Sequence, residues 1–191
     1  DHIANDVDLI TFSGDKVLGG PQCGIIAGKR ELIEKSKKNP LKRALRCDSM
    51  VLAALAEVLK LYQNPETLIE TLPTLRQLTR PADDIKKQAE RLFSLIDAYL
   101  SPMFRVSITP CHSQIGSGAL PIETIASFAI GIESIAGRDR EIRQLASQFR
   151  LLPYPVIGRI SDGRLLLDLR CLENEDTFLQ QVAQIRDALV C

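Results

Sequence analysis

Val7-Asp8-Leu9-Ile10-Thr11-Phe12-Ser13-Gly14-Asp15-Lys16-Val17-Leu18-Gly19-Gly20-Pro21-Gln22-Cys23-Gly24-Ile25-Ile26-Ala27-Gly28 is the stretch on which the reading of this chain turns. An apolar run leads from Val7 to Phe12, broken only by Asp8 and Thr11, and a second run follows from Gly24 to Gly28. The pattern predicts strand, loop, strand, with Lys16 in the loop. A lysine between two buried strands is expected to be partly desolvated, which lowers its pKa and frees the amine as a nucleophile. Such a lysine suits a Schiff base with pyridoxal phosphate; the alternative is an ordinary solvated loop lysine. Ser13, three residues earlier, places a hydroxyl within reach of a phosphate on a lysine-bound cofactor. Gly14, Gly19 and Gly20 permit close backbone approach, and their N–H groups can face an anion. The loop is no Walker A motif, because the lysine precedes the double glycine.

Composition narrows the classes. The 191 residues allow one domain and the edge of another. Hydrophobic residues make up 45% of the chain, yet no apolar stretch reaches the ~18 residues needed to span a membrane. Five cysteines stand at wide, irregular spacings with no CxxC pair, which predicts free, reduced thiols in a cytoplasmic protein. With His2 and His112 as the two histidines, neither a metal site nor a Ser-His-Asp machine is expected. Formal net charge is zero, which excludes a general polyanion binder. The charge is uneven, however. Residues 29–46 hold eight basic side chains against Glu31 and Glu34, a local net of +6. That run is either a solvated helix face or an anion site near the lysine that extends toward RNA phosphates.

Further along, Arg30–Lys38 reads as a short polar helix broken by Asn39-Pro40. Asp48 is the expected N-cap of a helix over Ser49–Tyr62, whose Val51, Leu52, Leu55, Val58, Leu59 and Tyr62 predict a core-packing stripe. Residues 73–79 continue helically, and a long helix is expected from Pro81 or Ala82 to Leu100, with Ile85, Ala89, Leu92, Phe93 and Ile96 on one face. Then come a strand over Phe104–Pro110, a glycine-containing loop over Gln114–Gly118, a strand over Ile125–Ile132 and a helix over Arg138–Phe149. Val156–Ile160 and Leu165–Leu169 flank the hairpin signal Ser161-Asp162-Gly163. Asn174 is expected to cap a final amphipathic helix. This order predicts a small α+β domain with an antiparallel sheet.

Residues 11–29 resemble the cofactor-lysine segment of the bacterial selenocysteine synthase family, the L-seryl-tRNA(Sec) selenium transferases. The resemblance continues through Pro40-Leu41-Lys42-Arg43-Ala44-Leu45-Arg46-Cys47-Asp48 and Leu72-Pro73-Thr74-Leu75-Arg76. It returns at Ser113-Gln114-Ile115-Gly116-Ser117-Gly118, Pro155-Val156-Ile157-Gly158-Arg159-Ile160 and Asp168-Leu169-Arg170. It implies an α/β fold: the C-terminal part of a pyridoxal-phosphate enzyme of the aspartate-aminotransferase type (fold type I), made of the edge of the large domain plus a small α+β domain. The expected boundaries are 1–80 for the large-domain part, 81–100 for a linking helix and 101–191 for the small domain. Family members are more than twice this long. The groups that pair with the cofactor's pyridine nitrogen, stack on its ring and hold most of its phosphate are expected upstream of this chain.

The resemblance also implies an activity, the conversion of seryl-tRNA(Sec) to selenocysteinyl-tRNA(Sec) with selenophosphate as selenium donor, and a ring of dimers. Lys16 is then the catalytic, cofactor-bonding residue, with Ser13 and Asp15 as further cofactor contacts. Arg43 and Arg46, three residues apart on an expected helical turn, are assigned to the selenophosphate anion. Arg159 and Gln114, with the Gly116-Ser117-Gly118 loop, are weaker candidates for facing substrate. The isolated chain is expected to be inactive. Two other readings stand beside this one: another fold-type-I pyridoxal-phosphate enzyme of the desulfurase, lyase or aldolase kind, and a non-catalytic remnant. The Leu-Lys-Arg-Ala-Leu-Arg anion fork favours the selenium transferase.

Overall fold

The structure, a computed structural model, describes residues 7–115 and 124–190, and within the last helix it describes side chains as far as Ile185. The chain is α/β and divides into two units, residues 1–79 and 80–191.

In the first unit, β1 (Leu9–Ser13) pairs antiparallel with β2 (Gly24–Gly28), in a register that sets Leu9 opposite Gly28 and Ser13 opposite Gly24. Helix α1 (Arg30–Lys37) follows and stops where Asn39 begins a 3₁₀ turn over Pro40–Arg43. The Asn39 side chain accepts the Leu41 N–H at 2.9 Å, so the residue that breaks one helix caps the next turn. Helix α2 (Ser49–Leu61) begins on Asp48, whose carboxylate accepts the Val51 N–H at 2.8 Å. Helices α3 (Pro65–Thr71) and α4 (Pro73–Thr79) complete the unit, with Leu72 buried at their junction.

Burial in this unit departs from expectation. Among its described residues only Gly14 and Leu72 are buried. On α2, Leu52 and Leu59 of the expected core stripe are exposed. Leu55 and Val58, one turn apart, instead pack against the glycine loop. A Cβ on Gly20 would lie 3.4 Å from Leu55 Cδ1 and 3.8 Å from Val58 Cγ1. The stripe is therefore split: one edge supports the lysine loop and the other faces outward.

The second unit carries the main core. Helix α5 (Ala82–Leu100) buries Ile85, Ala89, Leu92, Ile96 and Leu100 along one stripe. Two long strands, β3 (Phe104–Gln114) and β4 (Thr124–Ser134), pair along their whole lengths. After helix α6 (Asp139–Arg150), β5 (Arg159–Ser161) and β6 (Arg164–Asp168) form a hairpin, and the sheet order is β3-β4-β6-β5, antiparallel throughout. Asp162 and Gly163 at the hairpin tip have φ of 51° and 73°, the two positive angles that a type I′ turn requires. Helix α7 (Glu175–Val190) starts on Asn174, which accepts the Thr177 N–H at 2.8 Å. Alternate strand residues Phe104, Val106, Ile130, Ile132, Leu165 and Leu167 share one core with α5, α6 and α7. Cys111, Ala129 and Leu166 form a separate small cluster. The stretch expected as a linking helix over 81–100 holds α5, whose buried face belongs to the core of the second unit.

Candidate functional site

The loop between β1 and β2 is held by its own backbone. Gly14 donates to the Cys23 carbonyl at 2.9 Å, and Gly20 donates back to the Gly14 carbonyl at 2.8 Å. Gly19 donates to the Lys16 carbonyl at 3.0 Å and closes a turn over Lys16-Val17-Leu18-Gly19. These three N–H groups are engaged within the loop, so they form no anion cradle, contrary to expectation. The glycines serve close approach instead. A Cβ on Gly14 would come within 2.6 Å of Cys23 Sγ and 2.7 Å of the Pro21 carbonyl oxygen. Gly19, at φ 73°, adopts a left-handed conformation that favours glycine, and a Cβ there would meet Leu72 Cδ1 at 2.8 Å.

Lys16 stands on this braced loop with its side chain 72% exposed, and its Nζ lies 3.6 Å from the Asp15 carboxylate. The desolvated setting expected from the sequence is absent among the described residues. The physical reason is that β1 and β2 bury none of their residues, so no low-dielectric layer surrounds the amine. An exposed pair such as Lys16–Asp15 is worth at most ~1 kcal/mol. Ser13, at the end of β1, is also exposed. The loop offers an accessible amine, a carboxylate and a hydroxyl within four consecutive residues, on a backbone tied by three hydrogen bonds of its own.

A second feature of this unit is a groove of about 490 Å³ lined by Ile26, Ile33, Leu41 and Leu45 together with Lys37, Lys42 and Arg46. The 3₁₀ turn ends at Arg43, and Arg46 lies beyond it, before helix α2 and in no regular element. The two arginines therefore do not share a helical face as expected: the 3₁₀ turn covers only Pro40–Arg43. Both are exposed, and Arg46 lines the groove.

In the second unit, Asp168 gathers partners from several strands. Its carboxylate accepts Ser113 Oγ at 2.6 Å, Ser127 Oγ at 2.7 Å and the Arg170 N–H at 3.1 Å, and Arg159 Nη1 lies 3.7 Å away. Burial pushes the Asp168 carboxyl up, but the two hydroxyls, the backbone N–H and the Arg159 charge outweigh it and hold the group below the usual aspartate range. Burial, followed by the Asp168 charge, pushes the Cys111 thiol up. That thiol is thereby unsuited to nucleophilic work. Arg159, a sequence candidate, is thus an edge-strand arginine tied to a well-held carboxylate. Gln114 closes β3 opposite Thr124 and is exposed. The Gly116-Ser117-Gly118 loop lies outside the described residues.

Sequence reasoning missed Tyr62 and Asp168 as organising residues. Tyr62 belongs by spacing to the apolar stripe of α2, yet its hydroxyl donates to the Leu18 carbonyl of the lysine loop at 3.0 Å. Nothing local in the sequence marks a contact across 44 positions. Among the described residues no group of His, Cys, Asp and Glu is arranged to hold a metal ion, and no helix is long and apolar enough to cross a membrane.

Residues 1–173 match the family model described as L-seryl-tRNA selenium transferase. The L-seryl-tRNA(Sec) selenium transferase of Klebsiella pneumoniae (strain 342) is 55% identical over 180 residues, covering 94% of this chain and 39% of that protein. Its counterpart in Edwardsiella ictaluri (strain 93-146) is 51% identical over 182 residues, again over 39% of its length. This chain therefore spans about two fifths of the length of the curated relatives it matches. Among solved structures, a D-glucosaminate-6-phosphate ammonia-lyase superposes with a TM-score of 0.61 over 99% of this chain and 46% of the lyase chain. At 17% identity, that likeness bears on fold alone.

Proposed function

Because this chain belongs to the L-seryl-tRNA selenium transferase family, we propose that it carries the cofactor lysine of an enzyme that converts seryl-tRNA(Sec) to selenocysteinyl-tRNA(Sec) with selenophosphate as selenium donor. We place it as the C-terminal part of a fold-type-I enzyme, with the large-domain edge over residues 1–80, the helix over 81–100 and the small domain over 101–191. The order of lysine loop, long helix and antiparallel α+β unit supports that placement.

The observation that carries the proposal is the presentation of Lys16. Its amine is accessible at the head of a turn whose glycine N–H groups are all engaged by the loop's own carbonyls. The residues present fit one part of pyridoxal phosphate: Lys16 can bond its aldehyde carbon, with Asp15 beside the amine and the Ser13 hydroxyl nearby in sequence. The glycines do not supply a phosphate cradle, because the Gly14, Gly19 and Gly20 N–H groups are engaged by the loop's own carbonyls. When bound, the cofactor supplies an electron sink for the pair left at the seryl α-carbon. The Lys16 amine would take the α-proton and return it to the β-hydroxyl, which would leave as water; selenophosphate would supply selenium to the β-carbon, with inorganic phosphate released as water attacks its P–Se bond. Arg43 and Arg46 hold the selenophosphate anion. Arg159 and Gln114 have weaker parts as polar groups facing substrate. We assign the enzyme to the cytoplasm and to a ring of dimers. The free thiols of Cys23, Cys47, Cys111 and Cys171 support the first, and the outward-facing Leu41, Leu45 and Met50 support further protein contacts.

The test uses the full-length enzyme with pyridoxal phosphate. Lys16→Ala should abolish the absorbance band of the lysine-bound cofactor and all selenium transfer. A band that survives the substitution rejects the lysine assignment.

A further inference from the structure

We infer that Tyr62 is a positioning residue for Lys16, acting through the peptide unit between Leu18 and Gly19. The inference rests on the cofactor-lysine reading above. That peptide is clamped at both ends. Its N–H, on Gly19, donates to the Lys16 carbonyl at 3.0 Å. Its C=O, on Leu18, accepts the Tyr62 hydroxyl at 3.0 Å. Leu72 stands beside Gly19, where an added Cβ would approach its Cδ1 to 2.8 Å.

A peptide unit in a glycine-containing turn can rotate at low cost when only one of its groups is held. Rotation here would break the Gly19–Lys16 hydrogen bond and release the backbone from which the lysine side chain extends. The tyrosine hydroxyl makes that rotation costly, because its acceptor is half-buried and would lose its partner. Tyr62 is itself fixed. It is the C-cap residue of α2, and Leu55 and Val58 on the same helix pack under Gly20. Burial also pushes the phenol up from its usual range, so it remains a donor through neutral pH. Lys16 is exposed and has four rotatable side-chain bonds, so its aim depends on how firmly its Cα is held. In this chain the firmness comes from α2.

The experiment compares Tyr62→Phe and Lys16→Ala with wild type in the full-length enzyme. It reads the dissociation constant for pyridoxal phosphate, the cofactor absorbance band and its pH titration, the exchange rate of the Gly19 amide and the thermal midpoint of the cofactor-free protein. Removing one half-buried hydrogen bond should leave the fold intact, accelerate Gly19 exchange and weaken cofactor retention roughly fivefold. The pH titration of the band should shift as well. If Tyr62→Phe keeps cofactor affinity and titration unchanged while Lys16→Ala loses the band, the positioning role is rejected and the lysine reading stands. A weaker affinity that disappears when counted per folded molecule also rejects it. A band retained by Lys16→Ala sinks the lysine reading, and this inference with it.

Discussion

Arg80 and Arg170 each donate to the other's backbone: Arg80 Nη1 reaches the Arg170 carbonyl at 3.1 Å, and Arg170 Nη1 reaches the Arg80 carbonyl at 2.9 Å. Arg80 also serves the carbonyls of Leu169 and Leu172 and the Gln88 side chain, while Arg170 reaches the Ala126 carbonyl. The pair fastens the start of α5 to the connection between β6 and α7. Arg170 is only 3% exposed. Arg170→Ala should therefore destabilise the protein by about 3 kcal/mol, since buried carbonyls lose charged donors. Arg170→Lys should recover little, because an ammonium cannot reproduce the planar fork. Chemical denaturation monitored by circular dichroism checks both; a loss below ~1 kcal/mol would mean that water replaces the guanidinium.

Asp168 predicts an acid-sensitive fold. Its folded pKa is depressed, so its contribution to stability is fully present above the unfolded aspartate value and is lost as pH falls through the folded value. The window accordingly opens near pH ~4 and extends downward. Ser127→Ala removes one hydroxyl donor and should shift that loss to higher pH. Asp168→Asn should flatten the pH dependence in this range while lowering stability at neutral pH. Denaturation midpoints measured between pH ~3 and pH ~7 decide the matter; identical slopes for wild type and Asp168→Asn would assign the acid sensitivity to other groups.

The legible parts of the fold are those set by chemistry within a few residues. Asp48 and Asn174 cap helices because a short oxygen-bearing side chain reaches N–H groups three positions on. Asp162-Gly163 makes its hairpin because both positions take positive φ. The unread parts depend on distant partners. Arg80 meets Arg170 across 90 positions, and Asp168 draws its serines from β3 and β4. The strand, loop and strand around Lys16 are legible in its apolar runs, but the exposure of Lys16 is not, because burial depends on what covers β1 and β2. Arg46 falls outside helical geometry because the 3₁₀ turn that Pro40 opens stops at Arg43.

Gly14 and Gly19 give a sharp test of the loop. In Gly14→Ala the new methyl group would collide with Cys23 Sγ and with the Pro21 carbonyl, which is backbone and cannot rotate away. In Gly19→Ala the residue is held at an unfavourable φ against Leu72, whose side chain can partly yield. Each should cost roughly 1–3 kcal/mol, with Gly14→Ala the worse. Both should lower pyridoxal phosphate retention by the full-length enzyme more than Tyr62→Phe does. Wild-type cofactor retention in Gly14→Ala would show that loop geometry does not govern the lysine.

Arg43 and Arg46 lie on different backbone segments, one at the end of the 3₁₀ turn and one beyond it. No shared helix face forces them onto one ligand, so a common anion must be shown by coupling. Loss of one charge-assisted contact should raise the apparent KM for selenophosphate roughly tenfold in either Arg43→Ala or Arg46→Ala, with cofactor absorbance unchanged. If both guanidinium groups grip the same anion, the effects depend on each other. The double variant then departs from the product of the single effects by more than ~2-fold. If each arginine holds a different anion, the effects multiply. Arg46 also lines the apolar groove beside Lys42, so Lys42→Ala is the control for a general loss of positive charge. An effect of Lys42→Ala equal to that of Arg46→Ala would reassign the role from a specific contact to the field of the +6 segment.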